Sequence, residues 1–135
     1  MSPNNPNLPD VSAPLTAPFW EAARDHRLVA QKCADCGDLR FPPIEICPQC
    51  WSENQIWVPI APTGTLWSYV VYHRALDPSK ADEIPYVIGR VKTDDGPIFT
   101  VRLDVSPDAA IVDMPLTASW DDVDEEVTLV RFTAR

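Results

Sequence analysis

Four cysteines carry the clearest chemistry in this chain. Cys33-Ala-Asp-Cys36-Gly37 and Cys47-Pro-Gln-Cys50 are two C-x2-C pairs separated by ten residues. A hairpin of that length brings two knuckles face to face, so that four thiolates can surround one ion as a tetrahedron. Four sulfur ligands leave no coordination position for water or substrate. The site is therefore expected to be structural rather than catalytic, with zinc as the ion, one per chain. Iron bound by four thiolates uses the same ligands, and the spacing alone leaves it open. Disulfides and a redox-active C-x-x-C are the other uses of paired cysteines, and a reducing compartment argues against the first. Gly37 supports the knuckle, because the residue past a cysteine pair often needs a left-handed backbone. Pro48 stiffens the second turn.

Little else in the chain has the residue types of an active site. There are two histidines, His26 and His73. His26 lies among Arg24, Asp25 and Arg27 at the exit of an expected helix and reads as a surface residue. His73 follows an aromatic run and precedes Arg74, a pair able to meet a phosphate or thioester, though a polar residue where a strand leaves the barrel is the favoured explanation. No G-x-S-x-G, phosphate loop or dinucleotide fingerprint is present. Catalysis by this chain alone is not expected. Trp67, Tyr69, Tyr86 and Phe99 are candidates for a stacking face, and Arg90, Lys92 and Arg102 form the one basic cluster, on neighbouring strands beside Asp94 and Asp95.

Charge bears on what such a face could bind. The 135 residues carry 11 lysines and arginines against 20 acids, a formal net charge of -9, and four thiolates around one divalent ion would take it two units lower. Both parts of the chain are acidic, on either side of residue 60. Nucleic acids are held by cations that displace counterions, so a nucleic-acid-binding protein is the alternative reading and starts at a disadvantage. No basic-then-apolar leader opens the sequence, and no run approaches the roughly 18 apolar residues of a membrane span. A cytoplasmic protein, without a membrane or nucleic-acid partner, is the expectation.

The elements that must position the cysteines are short. Fifteen prolines against four glycines disfavour long helices. Residues 1–16, rich in proline, asparagine and serine, read as a disordered or partner-docked tail. A short helix is expected from near Thr16 through Arg24, with Pro18 in its first turn, Glu21 close enough to favour its positive end, and Phe19, Trp20 and Ala23 on a buried face. Leu28–Lys32 leads into the first knuckle, and Gln55–Val58 leads out of the second. Helix and ribbon together make a unit over 17–60. Beyond it, residues 65–73, 86–92, 98–103, 116–120 and 128–132 are five β-rich runs, with a hairpin signal at Asp94-Asp95-Gly96. Five such strands suit a small Greek-key barrel of the OB type over 61–135, so the fold class is mainly β. The acidic stretch 121–126 reads as a solvated turn, lacking the ligand spacing of a calcium loop.

In this order, Phe19-Trp20-Glu21, Leu28–Cys33, the two knuckles around Phe41-Pro42-Pro43, Pro62–Tyr69, Pro85–Val91 with Asp95-Gly96, and Met114–Trp120 resemble the Domain of Unknown Function 35 family, from about residue 17 to the C-terminus. The resemblance implies an N-terminal helix, a rubredoxin-like zinc ribbon and a C-terminal OB fold. It implies an accessory subunit of a thiolase-like enzyme (thiolase, acyltransferase or retro-aldolase) or a companion of an acyl-CoA hydratase, shaping a CoA channel while the partner supplies the catalytic groups. Two positions depart from the family pattern: Ile44 follows the Pro-Pro pair where arginine is frequent, and Val112-Asp113 stands where isoleucine-glycine precedes the methionine. Candidate contacts to CoA or to the partner are Trp20, Trp51, Tyr69, His73, Arg74, Tyr86 and Arg90. Five tryptophans, Trp20, Trp51, Trp57, Trp67 and Trp120, exceed what so small a core buries, and Trp20, Trp51 or Trp57 is expected at an interface.

Overall fold

The computed structural model describes residues 8–135. Of the expected tail, residues 1–7 lie outside the described residues, and residues 8–16 pass through successive turns tied by Ala13 N to Asp10 O and Ala17 N to Ala13 O. Helix α1 (Ala17–Arg24) follows, entered through Pro18, whose fixed φ and missing N–H suit a first turn. Thr16 caps it without a side-chain hydrogen bond, and no acid lies in the first turn. Glu21 sits too far into the helix to serve its positive end, contrary to expectation. Phe19, Ala22 and Ala23 are the buried residues of the helix, while Trp20 is only half-buried.

Strands β1 (Val29–Cys33), β2 (Leu39–Arg40) and β3 (Gln55–Pro59) make a three-stranded antiparallel sheet in the order β2-β1-β3. The two-residue β2 is too short to leave a pattern in the sequence. The remaining strands, β4 (Thr63–Tyr72), β5 (Tyr86–Thr93), β6 (Ile98–Leu103), β7 (Pro115–Asp122) and β8 (Thr128–Ala134), close a barrel in the order β4-β5-β6-β8-β7. All its pairs are antiparallel except β6 with β8, where Leu103 meets Phe132. Each expected strand is present within two residues of its expected bounds, and this strand order is that of an OB barrel.

The pairing of β4 with β5 includes a close backbone approach. Gly64 lies where a Cβ would fall 2.3 Å from the carbonyl oxygen of Lys92, so only glycine lets β4 cross β5 at that point. The β5–β6 hairpin is held by more than its own turn. Gly96 takes φ +117, the Asp95 carboxylate accepts from Ala61 N at 2.7 Å, and the Asp94 carboxylate accepts from the Thr63 hydroxyl. At the other departure noted above, Asp113 adopts φ +73 and donates its N–H to Leu66 O at 2.7 Å. The turn survives without glycine because a short polar residue tolerates the left-handed region.

A single apolar core runs from the helix into the barrel, through Phe19, Leu28 and Ala30 to Leu66, Val87, Phe99 and Phe132. Phe19 is its keystone. Its ring lies 4.8 Å from Phe41, 6.2 Å from Phe99 and 6.4 Å from Trp57, centre to centre. Truncating a side chain so placed to alanine would cost about 3–5 kcal/mol. His26 is exposed, as expected of a surface residue, yet it is also anchored: with φ +56 it stacks on Trp120 at 5.4 Å and hydrogen-bonds Asp122 at 2.9 Å, pinning the helix exit to β7.

Candidate metal centre and aromatic groove

The two knuckles repeat one backbone design. Gly37 N donates to Cys33 O and Trp51 N donates to Cys47 O, at 2.9 and 2.8 Å, each four residues past the first cysteine of its pair. Cys33 N and Cys47 N are taken by Asp38 O and Ser52 O. Both closing residues are left-handed, Gly37 at φ +82 and Trp51 at φ +67. The first cysteine of each pair, Cys33 and Cys47, is buried, and the second, Cys36 and Cys50, is exposed.

All four Sγ atoms lie within 4.8 Å of one another. Cys33 Sγ is 3.5 Å from Cys50 Sγ, and Cys36 Sγ is 3.6 Å from Cys47 Sγ. These separations are far longer than a disulfide bond, about 2.05 Å. They approach the roughly 3.8 Å edge of a tetrahedron with metal–sulfur bonds of about 2.3 Å, so the donor set fits a tetrathiolate ion. The thiols show why a cation suits them. The Cys36 amide, acting against burial, brings the Cys33 thiol down to about 6. At Cys50 the Ser52 amide pulls downward, but burial and the three neighbouring thiols outweigh it and push that thiol up to about 12. One thiolate forms readily and then resists the others, a conflict that a bound cation removes.

Arg40 supplies a fixed positive charge beside this cluster. Its side chain is 11% exposed, and its guanidinium makes four hydrogen bonds. Nη2 donates to Cys47 Sγ at 3.0 Å, Nη1 to Gln31 Oε1 at 2.7 Å and Gln55 Oε1 at 2.5 Å, and Nε to Asp38 Oδ2 at 3.1 Å. One planar fork thus ties a cysteine ligand to β1, β2 and β3. Gln31 also accepts from Ile44 N and donates to Ile44 O, both at 2.9 Å, so Ile44 is held by its backbone whatever its side chain.

A second feature lies between the helix and the barrel. A groove of about 470 Å³ is floored by Trp20, Phe41 and Ile88 above the buried rings of Phe19 and Phe99, with Lys80, Arg102 and Arg131 among its lining. It shares Phe41 and Thr100 with a second hollow of about 550 Å³ that reaches Arg90 and Gly96. The cations are tethered: Arg102 bonds Glu83 at 2.9 Å and covers the Tyr86 ring at 4.2 Å, while Arg131 bridges Asp104 and Asp121.

These positions regroup the residues singled out in the sequence. Trp20 and Tyr86 come together in the first hollow, and Arg90 lines the second. His73 and Arg74 are exposed and line a separate shallow recess beside Val70 and Leu76. Tyr69 packs against the core, and Trp51 stands apart, 81% exposed. The expected stacking face does not form. Phe99 is 2% exposed and faces the barrel interior, because β6 alternates and its outward neighbours are Thr100 and Arg102. Nor do Arg90, Lys92 and Arg102 act together, since Arg90 lies over Trp67 at 5.1 Å and Arg102 is committed to Glu83 and Tyr86. Three carboxylates of 121–126 also brace the fold, Asp121 on Arg131, Asp122 on His26 and Thr128, and Asp124 as a cap of the turn, while Glu125 and Glu126 are exposed, as expected of a solvated turn. Sequence reasoning missed Arg40, Phe41 and Arg131. Phe41 alone had a signal, in its place between the knuckles beside two prolines.

Residues 20–54 match the family described as ChsH2, rubredoxin-like zinc ribbon domain, and residues 57–121 match ChsH2, C-terminal OB-fold domain. A probable enoyl-CoA hydratase alpha subunit of Thermomonospora curvata is 40% identical over 116 residues, which are 84% of this chain and 36% of that protein. A 3-oxo-4,17-pregnadiene-20-carboxyl-CoA hydratase alpha subunit of Mycobacterium tuberculosis is 32% identical over 111 residues, 79% of this chain and 34% of that one. The chain therefore spans about a third of the length of both relatives. Among solved structures, one described as an Ltp2-ChsH2(DUF35) aldolase superposes with a TM-score of 0.83 at 36% identity, covering 93% of this chain and 98% of its own. No helix among the described residues is long and apolar enough to cross a membrane.

Proposed function

Because this chain belongs to the DUF35 family, with the ChsH2-type zinc ribbon and OB fold, we propose that it is an accessory subunit of an enzyme acting on acyl-CoA thioesters. The partner, a thiolase-superfamily enzyme in this reading, supplies the catalytic groups, and this chain shapes the substrate channel and steadies the assembly. The metal is one structural zinc held by Cys33, Cys36, Cys47 and Cys50, which supplies folding stability to a sheet too small to hold itself.

The observation that carries this reading is the groove between α1 and the barrel. Its floor is aromatic and aliphatic, suited to an acyl or ring system. Lys80, Arg102 and Arg131 lie along it, but each is also paired with an acid of this chain, so it is the apolar floor rather than the charge that carries the reading. Its lining holds no paired acid and base, so it favours binding over chemistry. Candidate contacts within it are Trp20 and Tyr86, with Arg90 in the adjoining hollow. The CoA hydratase descriptions of two relatives agree with an acyl-CoA setting, and a reduced cytoplasm would keep the thiols available to the metal.

The test is to purify the chain with and without a co-expressed thiolase-like subunit, and to assay metal and turnover of CoA thioesters. About one zinc per chain and turnover only in the joint preparation support the reading. Absence of metal with four titratable thiols, or turnover by this chain unaided, refutes it.

A further inference from the structure

The knuckle that ends at Trp51 uses its closing position in an unusual way. In the first knuckle the equivalent residue is Gly37, and both backbones are left-handed, φ +82 and φ +67. Glycine adopts that region freely, whereas a bulky residue adopts it only at a cost. Trp51 recovers none of that cost by packing. It is 81% exposed and makes no ring–ring contact among the described residues. Ile46, just before Cys47, is 47% exposed on the same knuckle.

The charge around this apolar tip is one-sided. Residues 34–54 hold four acids, Asp35, Asp38, Glu45 and Glu53, and a single base, Arg40, which is turned inward. Asp35 is fixed next to Trp51, accepting from the Ser52 hydroxyl and from Asn54 Nδ2. A divalent ion held by the four thiolates would add two further negative charges to this knuckle. Such a surface repels a second copy of itself, a nucleic acid and an anionic membrane alike. It complements a protein surface with an apolar slot rimmed by lysines and arginines.

We propose that the ribbon tip centred on Trp51 is a docking surface that inserts the indole into such a basic-rimmed slot on the partner subunit. This rests on the accessory-subunit reading given above and adds the place and chemistry of the contact. Trp51 is absent from the lining of both hollows of the groove, so docking through the tip leaves them open to ligand. The tip is a large exposed aromatic anchor of the kind that dominates interfaces, held at the expense of the free chain's own stability.

The test compares the zinc-loaded chain with W51G and W51A, and with E53K. In the free chain, W51G should keep its zinc and melt at or above the parent temperature, since a left-handed strain is relieved and no buried contact is lost. With a thiolase-like subunit that assembles with the parent, W51G and W51A should bind at least tenfold more weakly. E53K should also weaken binding, and parent binding should decline as salt is raised. A drop in melting temperature or zinc content in W51G would assign Trp51 to packing and overturn the proposal. Undiminished assembly of both tryptophan variants overturns it too, while leaving the accessory-subunit reading intact. Failure of the parent to assemble sinks that reading, and this proposal with it.

Discussion

Replacing Arg40 by methionine should weaken the ribbon's hold on zinc by about 10–100-fold while leaving the barrel folded. The magnitude follows from what each of the four partners loses. Gln31 Oε1 still accepts from Ile44 N, and Gln55 Nε2 still donates to Ser52 O. Asp38 is 31% exposed and turns to water. Cys47 is fully buried and keeps only the neutral amides of Gln49 and Cys50 as donors, since the Nη2 bond at 3.0 Å is its one contact with a cation. A hydrogen bond to a charged group contributes roughly 1.5–3 kcal/mol net, and about 1.4 kcal/mol corresponds to a tenfold change in affinity. The assay is competition for zinc against a chromophoric chelator at fixed neutral pH. Cobalt substitution supplies a second readout, because loss of an N–H···S bond moves the sulfur-to-cobalt charge-transfer band to lower energy. Gln55→Met is the control, since it removes a partner of Arg40 but keeps the bond to Cys47, and should leave both readouts near the parent values. Equal zinc affinity and an unmoved band in a folded Arg40→Met protein would refute the argument. So would a Gln55→Met protein that behaves the same way as Arg40→Met.

Cys33→Ser or Cys50→Ser should release the zinc and unfold the ribbon, read by metal analysis and by loss of slow amide exchange in β1–β3, because three thiolates hold the ion far less firmly. Gly64→Ala should destabilise the barrel by about 2–3 kcal/mol, measured by urea unfolding, since its methyl group meets the Lys92 carbonyl, a backbone atom that cannot rotate away. The His26 hydrogen bond, and after it the Thr128 hydroxyl, hold the Asp122 carboxyl below the usual aspartate range. A lowered carboxyl contributes stability that is fully present above the usual range and is lost as the pH falls below that range through the lowered folded value, so the melting temperature should decline with acid less steeply in Asp122→Asn than in the parent. Finally, the chain should bind single-stranded DNA no better than a generic acidic protein at physiological salt, as fluorescence anisotropy would report. Its 11 cations are outnumbered by 20 acids, and Arg40, Arg102 and Arg131 are already paired with acids of the chain itself.

How much of this was legible in the chain depended on the range of the interaction involved. The metal centre was readable because a C-x2-C knuckle is local: the amide bonds that close it join residues four apart, and the ten-residue spacer fits a hairpin. The strands were readable for a similar reason. Period-two alternation in runs such as Tyr86-Val-Ile-Gly-Arg-Val and Ile98–Leu103 marks a surface half in and half out, and proline and glycine punctuate it. Composition alone also disfavoured a nucleic-acid partner.

What the tertiary structure decided is which of those alternating residues meet. Phe99 is an aromatic strand residue like Tyr86, yet the barrel turns Phe99 inward onto Phe41, at 4.3 Å, and Tyr86 outward under Arg102. A one-residue difference in phase separates the two outcomes. Arg40 reads as an ordinary surface base until β1, β2 and β3 assemble around it, because its partners Gln31, Cys47 and Gln55 lie 9, 7 and 15 residues away. The groove exists only where a helix, a ribbon loop and three barrel strands converge, and no local pattern specifies that convergence. Local geometry follows from backbone preferences and short spacing, whereas the pairing of distant side chains follows from closure of the barrel and burial of Phe19 among Phe41, Trp57 and Phe99.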